Sequence, residues 1–263
     1  MQSNPKPQFI TREDGANIAY HATPGKNPEK KIGVVFLGGF RSDMEGSKAL
    51  ALETWCRSEG RAYLRFDYYG HGQSSGAFED GCIGRWADDA LFALDRLTDG
   101  PQVLVGSSMG GWLMLLTARA RAERVKGLVG LAAAPDFTED LMWNELTADQ
   151  RDALARDGVV HIPNDYDPSD PYTITRKLIE DGKNHLLLRE SLNIQAPVRL
   201  IQGMRDADVP WKTALAIQDA LVSDDVEIQF VKTGDHRLST DPDLKRLTRT
   251  VDALLNDLES EDA

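Results

Sequence analysis

The stretch Gly106-Ser107-Ser108-Met109-Gly110 constrains this chain most, because it sits between the apolar run Gln102-Val103-Leu104-Val105 and the helix-like run Gly111-Trp112-Leu113-Met114-Leu115-Leu116. A serine on a sharp strand-to-helix turn takes strained backbone angles, and glycines two residues to either side remove the side chains that would collide. The same turn starts a helix, so the Met109 N–H faces the spot in front of the serine, with the helix dipole behind it. The segment reads as a nucleophile elbow presenting Ser108 Oγ. Gly72-Gln73-Ser74-Ser75-Gly76 fits the same short pattern. It lies in a glycine-rich loop with no strand before it and no helix after it, so Ser74 and Ser75 are expected to be ordinary loop hydroxyls.

At 263 residues the chain can bury a full core, and one α/β domain spanning 1–263 fits best. A net charge of −12 gives no basic footprint for nucleic acid and no attraction to anionic lipid. The first residues, Met1-Gln2-Ser3-Asn4-Pro5-Lys6-Pro7-Gln8, carry neither the apolar core of a signal peptide nor an arginine-rich import helix, and no apolar run approaches membrane-spanning length. A cytoplasmic protein without stable membrane association is therefore expected. The two cysteines, Cys56 and Cys82, do not make a disulfide framework and are expected to be free thiols in a reducing compartment. With no Cys-x-x-Cys and five scattered histidines, zinc-type spacing is missing, and neither a metal nor a cofactor is expected.

Strand-like and helix-like segments alternate along most of the chain, which predicts a mostly parallel sheet with helices on both faces. Phe9-Ile10-Thr11 and Ile18 to Ala22 are expected to form an antiparallel pair at the sheet edge. Strands are predicted at Ile32 to Leu37, Ala62 to Phe66, Gln102 to Val105, Val125 to Leu131, Val198 to Gly203 and Val226 to Val231. Helices are predicted at Ser47 to Glu59, Ile83 to Leu97, the segment after the elbow, Trp211 to Val222 and Asp241 to Leu258. Between about 135 and 197 the alternation stops. That stretch reads as helices near Phe137–Asn144, Thr147–Asp157 and Thr173–Glu190 around the Pro/Asp-rich loop Pro163 to Pro171. Such an insertion is expected to be a lid over the strand ends, where open α/β sheets bind ligands. The acidic tail Glu259 to Asp262 is the single biased tract.

A serine hydroxyl needs a base to become a nucleophile, and the base needs a carboxylate to fix its tautomer. Downstream of an elbow the acid precedes the histidine, each on a loop at the carboxyl end of a strand. His21 and His71 precede Ser108, while His161 and His185 fall in the lid stretch. His236, in Thr233-Gly234-Asp235-His236-Arg237, is the expected base. His71 is expected to be structural. In Gly203-Met204-Arg205-Asp206-Ala207-Asp208-Val209-Pro210, Asp206 is the expected acid, and Asp208 is expected to cap the following helix. Asp235 is a weaker rival for the acid. A second oxyanion donor comes from the loop after the third strand, here Gly38-Gly39-Phe40-Arg41, so the Phe40 and Met109 N–H groups are the expected pair. Trp112, Met142 and Trp143, with Leu141, are candidates to line an acyl pocket, and Arg41 to meet a substrate carboxylate.

Taken together, Gly38-Gly39-Phe40, Asp67 to Ser74, the elbow, Gly203 to Pro210 and Asp235-His236 resemble the α/β-hydrolase superfamily across almost the whole chain. Longer strings, namely Ser42 to Leu50, Arg65-Phe66-Asp67-Tyr68, Gly100 to Leu115 and Gly203 to Asp206 with Val209-Pro210-Trp211, look like the family of palmitoyl-protein thioesterases that also hydrolyse mycophenolic acid acyl glucuronide. The resemblance implies an α/β-hydrolase fold with a helical lid, a triad at Ser108, Asp206 and His236, and a bacterial relative of that family. It implies hydrolysis of an acyl ester or thioester through an acyl-enzyme, with a small-molecule ester, an acyl glucuronide or an S-acylated protein as substrate. Amide or carbon–carbon cleavage on the same triad, and a ligand-binding homologue without turnover, are the alternatives. A serine rather than an aspartate at the elbow argues against dehalogenase chemistry.

Overall fold

The computed structural model describes residues 6–163 and 171–261. Most of the expected Pro/Asp-rich loop (164–170), the first five residues and Asp262 of the acidic tail lie outside them. Along the chain run strands β1 (Gln8–Thr11), β2 (Asn17–Thr23) and β3 (Gly33–Leu37), helix α1 (Ser47–Glu59), β4 (Tyr63–Phe66), α2 (Ile83–Leu97), β5 (Gln102–Ser107), α3 (Met109–Ala120) and β6 (Val125–Leu131). After the insertion come β9 (Val198–Gly203), α6 (Lys212–Ala220), β10 (Val226–Val231) and α7 (Asp241–Glu261).

Eight strands make one sheet in the order β1-β2-β4-β3-β5-β6-β9-β10. The first pair is antiparallel, β2 runs antiparallel to β4, and every later pairing is parallel. Because side chains alternate across a strand, continuous apolar runs feed two layers at once. Val34 and Phe36, Val103 and Val105, Val129 and Leu131 face the layer built with Ala49, Leu52 and Cys56 of α1 and Leu247, Val251 and Leu254 of α7. Val35 and Leu37, Leu104 and Leu128 face the layer that holds α2, α3 and α6. Helix α3 has no polar stripe, and every residue from Met109 to Ala118 is buried, as a helix enclosed on all sides must be.

The chain leaves β3 for β4 on one side and returns to β5 on the other, with β3 and β5 paired from Gly33↔Gln102 to Leu37↔Gly106. Loops after these two strands therefore diverge and open a crevice at their carboxyl ends.

The insertion differs from its expected all-helical form. It contains a π-helical turn at Thr138–Trp143, α4 (Ala148–Asp157), the antiparallel pair β7 (Val159–Ile162) and β8 (Tyr172–Thr175), α5 (Arg176–Gly182) and a 3-10 turn at Lys183–His185. The single long helix expected at Thr173–Glu190 is thus a strand, a short helix and a turn. The β-branched run Thr173-Ile174-Thr175 pairs with Val159 to His161, where branched side chains suit a pleated surface better than a helix. The insertion has a core of its own, with Leu146, Leu154, Val160, Ile174 and Ile179 buried together.

Candidate active site

Ser108 sits at φ 54, ψ −119, a region that costs a side-chain-bearing residue about 1–3 kcal/mol. The surroundings over-determine it. Its N–H donates to the Leu131 carbonyl at 2.9 Å, and its own carbonyl accepts from Gly111 at 2.8 Å and Ala134 at 3.0 Å. A Cβ on Gly110 would stand 2.0 Å from the Leu37 carbonyl oxygen, so only glycine lets α3 begin this close to β3.

His236 leaves the loop after β10 and reaches Ser108 Oγ with Nε2 at 3.1 Å, while its Nδ1 lies 2.9 Å from Asp206 Oδ2. An ionised carboxylate can only accept, so Nδ1 carries the proton and Nε2 faces the serine hydroxyl as an acceptor. The Asp206 side chain is fully buried and that of His236 is 18% exposed. Oδ1 of Asp206 accepts from the N–H groups of Asp208 at 2.9 Å and Val209 at 2.8 Å, and Oδ2 also accepts from Gln202 Nε2 at 3.1 Å. These bonds compensate the burial of a charge. Composition gave no hint of Gln202; its one signal is a polar residue directly after the apolar pair Leu200-Ile201 near the end of a strand, and it is 1% exposed.

Two neighbouring aspartates do other work. Asp235 Oδ1 accepts from Leu238 N–H within its own loop, and does not stand behind His236. Asp208 does not cap a helix: α6 begins only at Lys212, with Trp211 at the cap position and no side-chain cap bond. The intervening Val209-Pro210 turn is fixed by Asp206 instead. Asp206, Asp208 and His236 bring three potential ligand atoms within 4.8 Å of one another, but Asp206 already spends both oxygens on N–H donors.

On the other side of Ser108, the loop after β3 comes close. A Cβ on Gly39 would be 3.4 Å from Ser108 Cβ, so the backbone just before Phe40 runs close beside the elbow. Met109 is the first residue of α3, so its N–H has no acceptor within the helix. The Phe40 ring meets Phe78, Trp86, Phe137 and Tyr172 with centroids 4.9–6.1 Å away. Phe40, Met142, Trp143 and Tyr172 pack partly buried against the insertion's core. Arg41 has φ 54, donates to the Pro171 carbonyl at 3.0 Å and lies over the Tyr172 ring. Trp112, expected to face substrate, is instead fully buried, its Nε1–H donating to the His185 carbonyl at 3.0 Å. It ties α3 to the insertion.

The second Gly-x-Ser-x-Gly copy is scaffolding, as its context suggested. Ser74 Oγ accepts from Ala19 N–H and donates to the Asp67 carbonyl, and Ser75 Oγ accepts from Asn17 N–H. Asp67 itself accepts from Met44 and Gln73 N–H groups at 2.7 and 2.8 Å, joining the segment beyond the Gly38-Gly39-Phe40-Arg41 loop to the glycine loop. Burial pushes its carboxyl up to about 6. His71 is 3% exposed, and burial pulls its imidazole down to about 4. Cys56 and Cys82 are buried free thiols.

Residues 36–160 match the α/β hydrolase fold family, and the sheet order and elbow are those of a serine-type hydrolase of that class. The palmitoyl-protein thioesterase ABHD10 of Bos taurus is 40% identical over 250 residues, covering 95% of this chain and 80% of that protein. Among solved structures, a putative hydrolase from Agrobacterium vitis S4 superposes with a TM-score of 0.90 at 38% identity, covering 96% of this chain and all of that one. Alpha/beta hydrolase domain-containing protein 10 from mouse gives 0.88 at 38%, covering 97% and all of it. The chain belongs to the palmitoyl-protein thioesterase ABHD10 family. The expected cytoplasmic placement is corrected by the same match, since these relatives are named as mitochondrial. That expectation rested on targeting and membrane signals not found in the sequence, and a missing signal assigns no compartment. No described helix is long and apolar enough to cross a membrane.

Proposed function

We propose that the protein hydrolyses fatty acyl thioesters and esters with Ser108 as nucleophile, His236 as general base and Asp206 as the group that orients it. The observation that carries this reading is the pair of hydrogen bonds through one imidazole, 3.1 Å to Ser108 Oγ and 2.9 Å to Asp206. His236 Nε2 takes the Oγ proton as Oγ attacks the carbonyl carbon, and the charge left on the imidazolium is balanced by Asp206. The oxyanion receives the N–H groups of Met109 and Phe40, aided by the α3 dipole. The tetrahedral adduct collapses as Nε2–H protonates the departing thiolate or alkoxide, leaving Ser108 acylated. Water, deprotonated by the same nitrogen, then releases the acid and restores the serine.

Residues 135–197 act as a lid that supplies the acyl pocket. Support comes from Asp136, fully buried at φ 60, which accepts from the N–H groups of Leu187 and Leu188 at 2.7 and 2.9 Å and so closes the base of the insertion. The Phe40, Met142, Trp143 and Tyr172 side chains, shared between the oxyanion loop and the insertion, suit an apolar chain better than a polar substrate. The relatives named as palmitoyl-protein thioesterases point to the same substrate class. Acyl thioesters of graded length, acyl glucuronides, p-nitrophenyl esters and anilides, each tested on wild type and Ser108→Ala, decide it. Long-chain thioesters should give the highest kcat/KM and the variant none; anilide cleavage without ester cleavage would overturn the reading.

A further inference from the structure

Lys48 occupies the first turn of α1, where the helix dipole disfavours a cation, and no acidic residue lies in that turn to offset it. Its place is explained by what it reaches. The Lys48 ammonium donates to the Arg237 carbonyl, the residue that directly follows His236. The peptide on the other side of the base is also held, because Arg205 N–H donates to the Gly234 carbonyl at 2.9 Å. The base loop is therefore pinned at both flanks, once from the acid's own loop and once by Lys48. Helix α1 is a firm anchor, with Ala49, Leu52 and Cys56 all fully buried, and it follows directly on the segment that carries Phe40.

We propose that Lys48 is a positioning residue for the reaction, holding His236 in line with Ser108 through the Arg237 carbonyl; this rests on His236 acting as the base. The charged groups around the ammonium are Asp235 and Arg237 of the same loop and Asp243 of α7. Burial pulls the Lys48 ammonium down to about 8, against the opposing pull of Asp235 and Asp243. The charge that strengthens its bond to Arg237 is therefore lost in mildly alkaline solution, a change that arginine would not undergo.

Lys48→Met keeps the aliphatic stem and removes the donor, while Lys48→Arg keeps donor and charge. With a long-chain acyl thioester, Lys48→Met should lower kcat about tenfold and leave KM within about twofold; Lys48→Arg should recover most of the loss. Wild-type kcat should fall on the alkaline side near pH 8, and that fall should move well upward in Lys48→Arg. A Lys48→Met enzyme with wild-type kcat, a loss confined to KM, or an alkaline fall unmoved by arginine would overturn the proposal. Should Lys48→Met fail to fold, the arginine profile decides alone. Ser108→Ala, run in parallel, separates the two readings: its inactivity upholds the nucleophile whatever Lys48 does.

Discussion

Gly203 lies so close under Gly234 that a Cβ added to it would stand 2.4 Å from the Gly234 carbonyl oxygen and 2.6 Å from that of Asp235. Gly203 ends β9 and leads to Asp206 three residues on; Gly234 leads to His236 two residues on. This backbone contact therefore sets how near Asp206 comes to His236.

Gly203→Ala should push the two loops apart by the width of a methyl group. Misplacement on the ångström scale costs on the order of 100-fold in rate. The expected result is a kcat lowered by about that factor in a protein that still melts cooperatively; an unchanged kcat would show that the contact does not set the geometry.

Strain at Ser108 predicts a stability gain. Glycine at this position relieves about 1–3 kcal/mol of backbone strain and gives back about 0.5–1 kcal/mol in chain entropy. Ser108→Gly should therefore be more stable than Ser108→Ala by about 1 kcal/mol in denaturant unfolding, with no turnover in either. Equal midpoints for the two variants would argue against a strained elbow.

His71 makes the fold sensitive to acid. Its Nδ1–H donates to the Tyr69 carbonyl at 3.2 Å, and its buried Nε2 has no hydrogen-bond partner, so protonation inside the Tyr68, Phe78 and Trp86 cluster is disfavoured. With the imidazole held down at about 4 against an ordinary 6.5, the unfolded chain binds the extra proton. Stability from His71 is thus complete above pH 6.5 and lost as pH falls toward 4, by about 3 kcal/mol in all. Asp67 and Asp89, both raised to about 6 by burial, act in the opposite sense, so the comparison must be with His71→Phe. Wild type should lose more unfolding free energy than the variant over that window; parallel pH profiles would contradict the assignment.

The parallel sheet was legible because its strands are continuous apolar runs, and α1, α2, β6, β9 and β10 begin and end where hydrophobic period and turn residues placed them. That Ser108, Asp206 and His236 meet through one imidazole was foreshadowed by their order along the chain, since each follows a different strand. The insertion was not. Its β7/β8 pair depends on partners distant along the chain, such as Val160 and Ile174, and short segments of that kind carry no helix or strand period of their own. Gln202 and Lys48 escaped for a related reason: each acts through a backbone or carboxylate partner brought close only by folding. Asp208 was misassigned because a carboxylate before a helix resembles a cap until the turn between them is seen.

The central assignment, Ser108 as the acylated nucleophile, is tested most directly by intact-protein mass spectrometry and peptide mapping after treatment with a fluorophosphonate, alongside thioester turnover. One adduct on Ser108, no adduct on Ser108→Ala and turnover lowered on the order of 10⁶-fold in that variant are expected. An adduct on another residue, or a Ser108→Ala enzyme that still hydrolyses the thioester at the wild-type rate, would contradict it.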